Sequence, residues 1–340
     1  MALIWLDGFD MYGNTTGSPP APTAITGRKW ATTGFASSGD IETGRTGFAF
    51  ESGSSSFYMT TPNFTTNSTL IVGCAIRVQD TVDLQNGQIQ RLFTFRENTT
   101  DSLVLYMNGN NLGVYRGTTL LELSNRFNID PFRWNYIEMK GVCDNSAGSY
   151  EVRVNGATIL SGSGLDTQAG SLGYYNNLEI VSDNFWYDDM YICDGSGSDN
   201  NDFLGITRVH TIRPNAAGDT NNFDSGSYTD IDETQVDDDT TYAATVSSGT
   251  RLVANYDATL DFDTIAGIMV NSVASSNDAQ NVAVVTISGV TTNVSSNIAI
   301  NTGGNSTYTT LTYVSEQNPD TSSSWNSATI NSAQFGLEFK

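Results

Sequence analysis

Lysine and histidine are nearly missing from this chain: of its 340 residues, three are lysines and one is a histidine. Acids outnumber Lys plus Arg by 37 to 15, a net charge of −22. Without a basic patch to meet phosphates, nucleic acid is excluded as a partner. No segment approaches the ~20 apolar residues of a membrane-spanning helix, so membrane insertion is not expected. The opening MALIWLDGFD has no basic region and reads as a first strand, not a signal peptide. Three cysteines, Cys74, Cys143 and Cys193, each fall inside a strand-like segment. An odd number at core positions implies buried thiols and folding in a reducing cytoplasm. Phosphate-loop, dinucleotide and zinc signatures are absent. The one histidine, His210, has no G-x-S-x-G elbow and no cysteine near it in sequence, which leaves a triad without support and makes His210 structural.

What the chain has is Gly, Ser, Thr, Asn and Asp, a composition that starves long helices and feeds strands and turns. Leu70 to Val78 alternates cleanly, with Leu70, Val72, Cys74, Ile76 and Val78 on one face, and is predicted to be a central strand. Arg91 to Phe95, Leu103 to Met107, Leu112 to Tyr115 and Leu120 to Leu123 follow at intervals of about ten residues, broken by turn residues, as in an antiparallel sandwich. Tyr150, Val152 and Val154 alternate with polar residues until Asn155-Gly156, a pair that predicts a tight hairpin into Ala157 to Leu160. DGSGSDNND, Asp194 to Asp202, reads as linker. Beyond it, residues 214–340 hold 15 acids against Arg251 and Lys340. Asp219 to Asp239 has eight acids and no base, and is expected to be a loop or extended arm. Strand patterns resume at Ile265, and Trp325 to Asn331 suits a single helical turn.

The unit from Trp134 to Gly156, WNYIEMKGVCDNSAGSYEVRVNG, resembles the central strands of laminin-G-like and concanavalin A-like jelly rolls. NFWYDDMYIC, Asn184 to Cys193, resembles the closing strand of that fold, which implies that Leu3 to Phe9 pairs antiparallel with Phe185 to Cys193. The fold expected is all-β: a concanavalin A-like jelly-roll sandwich over 1–195, a linker over 196–213 and a smaller acidic β-sandwich over 214–340. The succession DNNDFLGITRVHTIRPNAAGDTNNF, the acidic arm and NPDTSSSWNSATINSAQFGLEF resembles virion structural proteins of tailed bacteriophages. That resemblance implies a structural, non-enzymatic component assembled in the host cytoplasm, tail-associated or fibre first and capsid decoration second. It also implies contacts with other virion proteins and homo-oligomers, trimers foremost.

Two sets of residues suit a site. Asp183, Asn184 and Asp188 offer hard oxygens of the kind that hold calcium at a sandwich rim, as do Asp237, Asp238 and Asp239. The competing reading of both groups is a solvated acidic face, and no cofactor is otherwise implied. Tyr174, Tyr175, Trp186 and Tyr187 lie close together in sequence: exposed, they would stack on sugar rings as in a glycan-binding receptor module for host surface polysaccharide, and the competing reading is that such strand aromatics are core. Polysaccharide hydrolysis ranks last. Glu179, Asp183, Asp188 and Asp189 are wrongly spaced for a glycosidase pair, and adjacent Asp188 and Asp189 point to opposite faces of a regular strand.

Overall fold

The computed structural model describes residues 2–14, 25, 28–34, 39–52, 57–78, 89–109, 111–125, 129, 132–182, 185–238, 240–256, 260–262, 264–300 and 308–340. The chain divides into two compact bodies, Met1–His210 and Thr211–Lys340.

Strands of the first body are β1 (Leu3–Asp7), β2 (Thr32–Gly34), β3 (Asp40–Thr43), β4 (Phe48–Glu51), β5 (Phe57–Thr60), β6 (Thr69–Val78), β7 (Ile89–Glu97) and β8 (Thr100–Asn108). They continue as β9 (Asn111–Arg116), β10 (Thr119–Leu123), β11 (Trp134–Val142), β12 (Gly148–Val154), β13 (Ala157–Leu165), β14 (Asn177–Ser182) and β15 (Phe185–Cys193). One antiparallel sheet runs β13-β12-β11-β6-β15-β4-β3, with β1 also paired to β15, and a second runs β10-β9-β8-β7-β14-β5-β2. This is the jelly-roll sandwich that the sequence implies.

The predicted central strand, β6, lies between β11 and β15. Ile137 and Met139 of β11 sit opposite Cys74 and Val72 on one side and opposite Val154 and Val152 on the other, so apolar residues continue across three strands. Asn155 and Gly156 take φ values of 50° and 82°, both positive as a two-residue hairpin of this hand demands. β1 closes beside β15 as expected, with Leu3 opposite Cys193 and Asp7 opposite Met190. The three cysteines are buried free thiols.

Residues 196–213 are expected to be a linker, and the structure corrects this up to His210. Leu204 N donates to Tyr191 Oη (3.0 Å), Gly205 N to Glu138 Oε1 (2.8 Å) and Val209 N to Asp189 Oδ1 (2.8 Å), while Lys140 pairs with Asp202 (3.1 Å). The segment 202–210 is therefore a strap along the outer face of the first sheet. Its composition reads as linker because it bonds through its backbone, and the acceptors it meets lie far away in sequence.

The second body contains β16 (Pro214–Asn221), β17 (Arg251–Tyr256), β18 (Ile268–Ala274), β19 (Gln280–Ser288), β20 (Thr291–Val294), β21 (Ile298–Ile300), β22 (Thr309–Ser315), α1 (Ser327–Asn331) and β23 (Gln334–Phe339). One sheet runs β16-β17-β23-β19-β20, with β21 on β19, and β18 pairs with β22 in a second. Trp325, Ile330, Ala333 and Phe335 form one core cluster and Val282, Ile300 and Leu311 another. The expected acidic arm starts in the last three residues of edge strand β16, where Asp219 is exposed, and runs on through 222–238 without a further strand. No helix of the described residues is long and apolar enough to cross a membrane.

Candidate functional site

Alternation in the second sheet buries Phe93, Phe95, Leu103, Leu105, Leu112 and Val114. Register shifts add one residue to each of two neighbouring strands: Leu92 between Arg91 and Phe93 in β7, and Ser102 between Asp101 and Leu103 in β8. These bulges turn Arg91 and Asp101 to the face opposite the core, where alternation already places Arg96 and Tyr106. Glu179 of β14 pairs with Thr94 on that same outward row.

The cluster is closely knit. Arg91 Nη1 lies 2.6 Å from Asp101 Oδ2, and Arg91 Nε donates to Tyr106 Oη at 2.9 Å. Arg96 Nη1 donates to Glu179 Oε2 at 2.9 Å, Arg96 Nε lies 3.1 Å from Asp101, and Arg91 Nη1 lies 3.9 Å from Glu179 Oε1. Both guanidiniums thus join the same two carboxylates. Arg96 Nη2 also donates to the Thr99 carbonyl (2.8 Å), fixing the guanidinium plane. Tyr106 meets Tyr115 edge to face, with ring centroids 4.8 Å apart. Burial pushes the Glu179 carboxyl above its ordinary range despite the pull of Arg96 and Arg91.

Beside the cluster an open groove of about 660 Å³ is lined by Arg91, Arg96, Arg116 and Asp101 together with Thr118 and Gln168. Arg116 is anchored from the side by an ion pair to Asp166. Planar guanidinium donors beside hydroxyls and an amide suit a carboxylate or sulfate carried on a hydroxyl-rich ligand.

The residues singled out from the sequence fare differently. Asp183 and Asn184 lie outside the described residues. Asp188 is buried and accepts from the backbone N–H groups of Arg45 (2.7 Å) and Thr46 (3.1 Å), so it braces the turn between β3 and β4. Asp189 does not face away from it. A bulge in β15, with Asp189 at φ 51°, sends both carboxylates toward Arg45, whose Nη1 pairs with Asp189 at 2.8 Å. Among the described residues no group of three or more His, Cys, Asp or Glu side chains is placed to hold a metal ion.

The glycan-stacking set is corrected as well. Tyr175 and Tyr187 are core residues, and Trp186 is 7% exposed with Arg77 packed 4.0 Å from its ring and its indole N–H donated to Glu42. Tyr174 alone stays half-buried, its hydroxyl 3.5 Å from Asn98, one residue before Thr99 of the groove. Exposed His210 is the last residue of the first body.

No protein-family description matches the sequence, and no curated protein does. Among solved structures the chain is similar to an endo-β-1,4-glucuronan lyase from the fungus Trichoderma reesei, at 12% identity over 50% of this chain and 92% of that one, TM-score 0.38. It is similar to alginate lyase Aly36B at 10% identity over 53% of this chain and 94% of that one, TM-score 0.38. It is also similar to the receptor-binding domain of botulinum neurotoxin type G, at 14% identity over 48% of this chain but only 42% of that one, TM-score 0.34. Polysaccharide lyases and toxin receptor-binding domains thus stand together among its structural neighbours, at a level of likeness that speaks only to fold. The expectation that the chain is not an enzyme is overturned by the lyases in this set: a sandwich of this kind gives no ground for excluding catalysis.

Proposed function

We propose that the first body contacts anionic polysaccharide through the groove on its second sheet, and that the chain does so as part of a tailed-phage particle. One observation carries the first half: in a chain of net charge −22, three guanidiniums, held in place by ion pairs to Asp101, Glu179 and Asp166, line one groove. A binding surface for a neutral sugar has no need of such a concentration, whereas a uronate or sulfated glycan does. The second half rests on the resemblance of the sequence to phage virion proteins. In that setting the chain meets other virion proteins, assembles with copies of itself, trimers foremost, and folds in the host cytoplasm, where its buried free thiols persist. A tail or fibre position brings the groove to a host surface polysaccharide, and capsid decoration is the second placement.

The test of the groove is titration calorimetry with a polyuronate and with the same polymer after its carboxyls are reduced to alcohols. The expected result is binding to the first alone, weakened about tenfold, or ~1.4 kcal/mol, by Arg116→Ala. Equal binding to both polymers, or to neither, overturns the reading. Reducing ends and ultraviolet absorbance of unsaturated sugar ends, followed in the same mixtures, separate binding from turnover. The particle assignment is tested by adding the purified chain to particles stripped of it, where stoichiometric uptake is expected and none at all refutes it.

A further inference from the structure

A second arrangement, unrelated to the groove, lies where β1 meets the segment just before β2. Lys29, one of only three lysines, is 4% exposed, and Asp7 is 2% exposed. Lys29 Nζ is 3.7 Å from Asp7 Oδ1 and donates to the Leu6 carbonyl. Trp5, Trp30, Phe9 and Phe64 wall this place with packed rings, and Lys29 Nζ sits 5.0 Å from the centroid of the Trp5 ring. The two oxygens of Asp7 are held unequally. Oδ2 accepts from Tyr12 Oη (3.1 Å) and Trp30 Nε1 (3.0 Å), whereas Oδ1 accepts from the backbone N–H of Phe9 (2.9 Å) and faces the amine.

We propose that Lys29 and Asp7 condense to an intramolecular isopeptide bond that ties β1 to residue 29. In a dry site an ion pair is costly, and proton transfer from Nζ to Oδ1 gives a neutral amine beside a neutral acid. Burial lowers the lysine's proton affinity and so eases release of the Nζ lone pair. The Nζ lone pair then attacks Cγ, and the charge developing on Oδ2 falls where Tyr12 and Trp30 already donate, an oxyanion hole in miniature. Burial and Asp7 hold the Tyr12 phenol far above its ordinary range, so it remains a donor throughout. A second Nζ proton passes to Oδ1, which leaves as water. Oδ2 becomes the amide carbonyl and one N–H remains. Nothing is oxidised or reduced, no co-reactant is needed, and two buried charges disappear.

The bond is read by mass spectrometry of the folded full-length protein. The expected intact mass is one water below that of the sequence, in the absence of any reductant-sensitive change. Proteolysis is expected to yield a branched peptide carrying both Asp7 and Lys29. Lys29→Arg restores the sequence mass. If that variant does not fold, the wild-type peptides decide alone: recovery of Asp7 and Lys29 in separate, unmodified peptides overturns the proposal.

Discussion

Asp188 and Asp189 are two adjacent carboxylates with no exposed surface, answered directly by one arginine. Burial and mutual repulsion raise the Asp188 carboxyl from an ordinary 3.8 to about 8, and burial raises Asp189 in the same sense. A carboxyl raised in the folded state takes up a proton on folding between its unfolded and folded values. Its contribution to stability is therefore greatest at low pH and is lost as pH rises through about 8. Denaturant unfolding of the first body is expected to show stability rising as pH falls from above about 8 toward 3.8. Asp188→Asn, which removes the titrating group, is expected to flatten that slope. Asp144 works in the opposite sense: the backbone N–H groups of Ala147 and Ser146 hold its carboxyl below the usual range, so its share is lost at still lower pH. A second residue-scale prediction concerns Gly73. A Cβ there collides with the Tyr191 ring, whose hydroxyl donates to Glu138 at 2.5 Å. Gly73→Ala is expected to cost about 1–3 kcal/mol in chemical denaturation, through overpacking and displacement of that hydroxyl.

Among the elements, the strap over 202–210 invites the sharpest experiment. It supplies N–H donors to Tyr191 and Glu138 and reaches Tyr136 through Thr207. A chain ending at residue 210 is expected to fold and unfold cooperatively. One ending at residue 195 leaves Glu138, wholly buried, facing water-accessible apolar surface, and its melting temperature is expected to drop by several degrees or the protein to aggregate. Regular elements were legible in the sequence for a physical reason. β6, β12 and the Asn155-Gly156 hairpin keep a strict two-residue period and a turn with its own chemistry, and both signals are local. The groove was not legible, because Leu92 and Ser102 are extra residues that break the period, and a bulge exists only relative to the partner strand. The same blindness hid the convergence of Asp188 with Asp189, and it misplaced Tyr175, Trp186 and Tyr187. An aromatic strand residue looks the same in sequence whether a second sheet or a strap covers it.

For the molecule as a whole, charge sets the conditions under which the groove can act. A net −22 repels a polyanion at long range, while Arg91, Arg96 and Arg116 attract it at contact. Salt reaches these two forces unequally, since at 0.1 M the screening length is already ~10 Å. The association rate with a polyuronate is expected to rise when salt is first added to a dilute buffer, and the dissociation rate to rise with it. Stopped-flow mixing across a salt series checks this, and an association rate that falls monotonically contradicts it. One further property of the first body follows from its closing strand pair. Leu3 lies opposite Cys193, and Asp194 N donates to the Ala2 carbonyl at 2.8 Å, so the chain leaves its last strand beside the start of β1. The strap then carries it back along the sheet until Val209 lies against Gly8 and bonds Asp189, so entry at Ala2 and exit at His210 sit at opposite ends of β1, about 20 Å apart, and a host loop that received this body would need a spacer of that length.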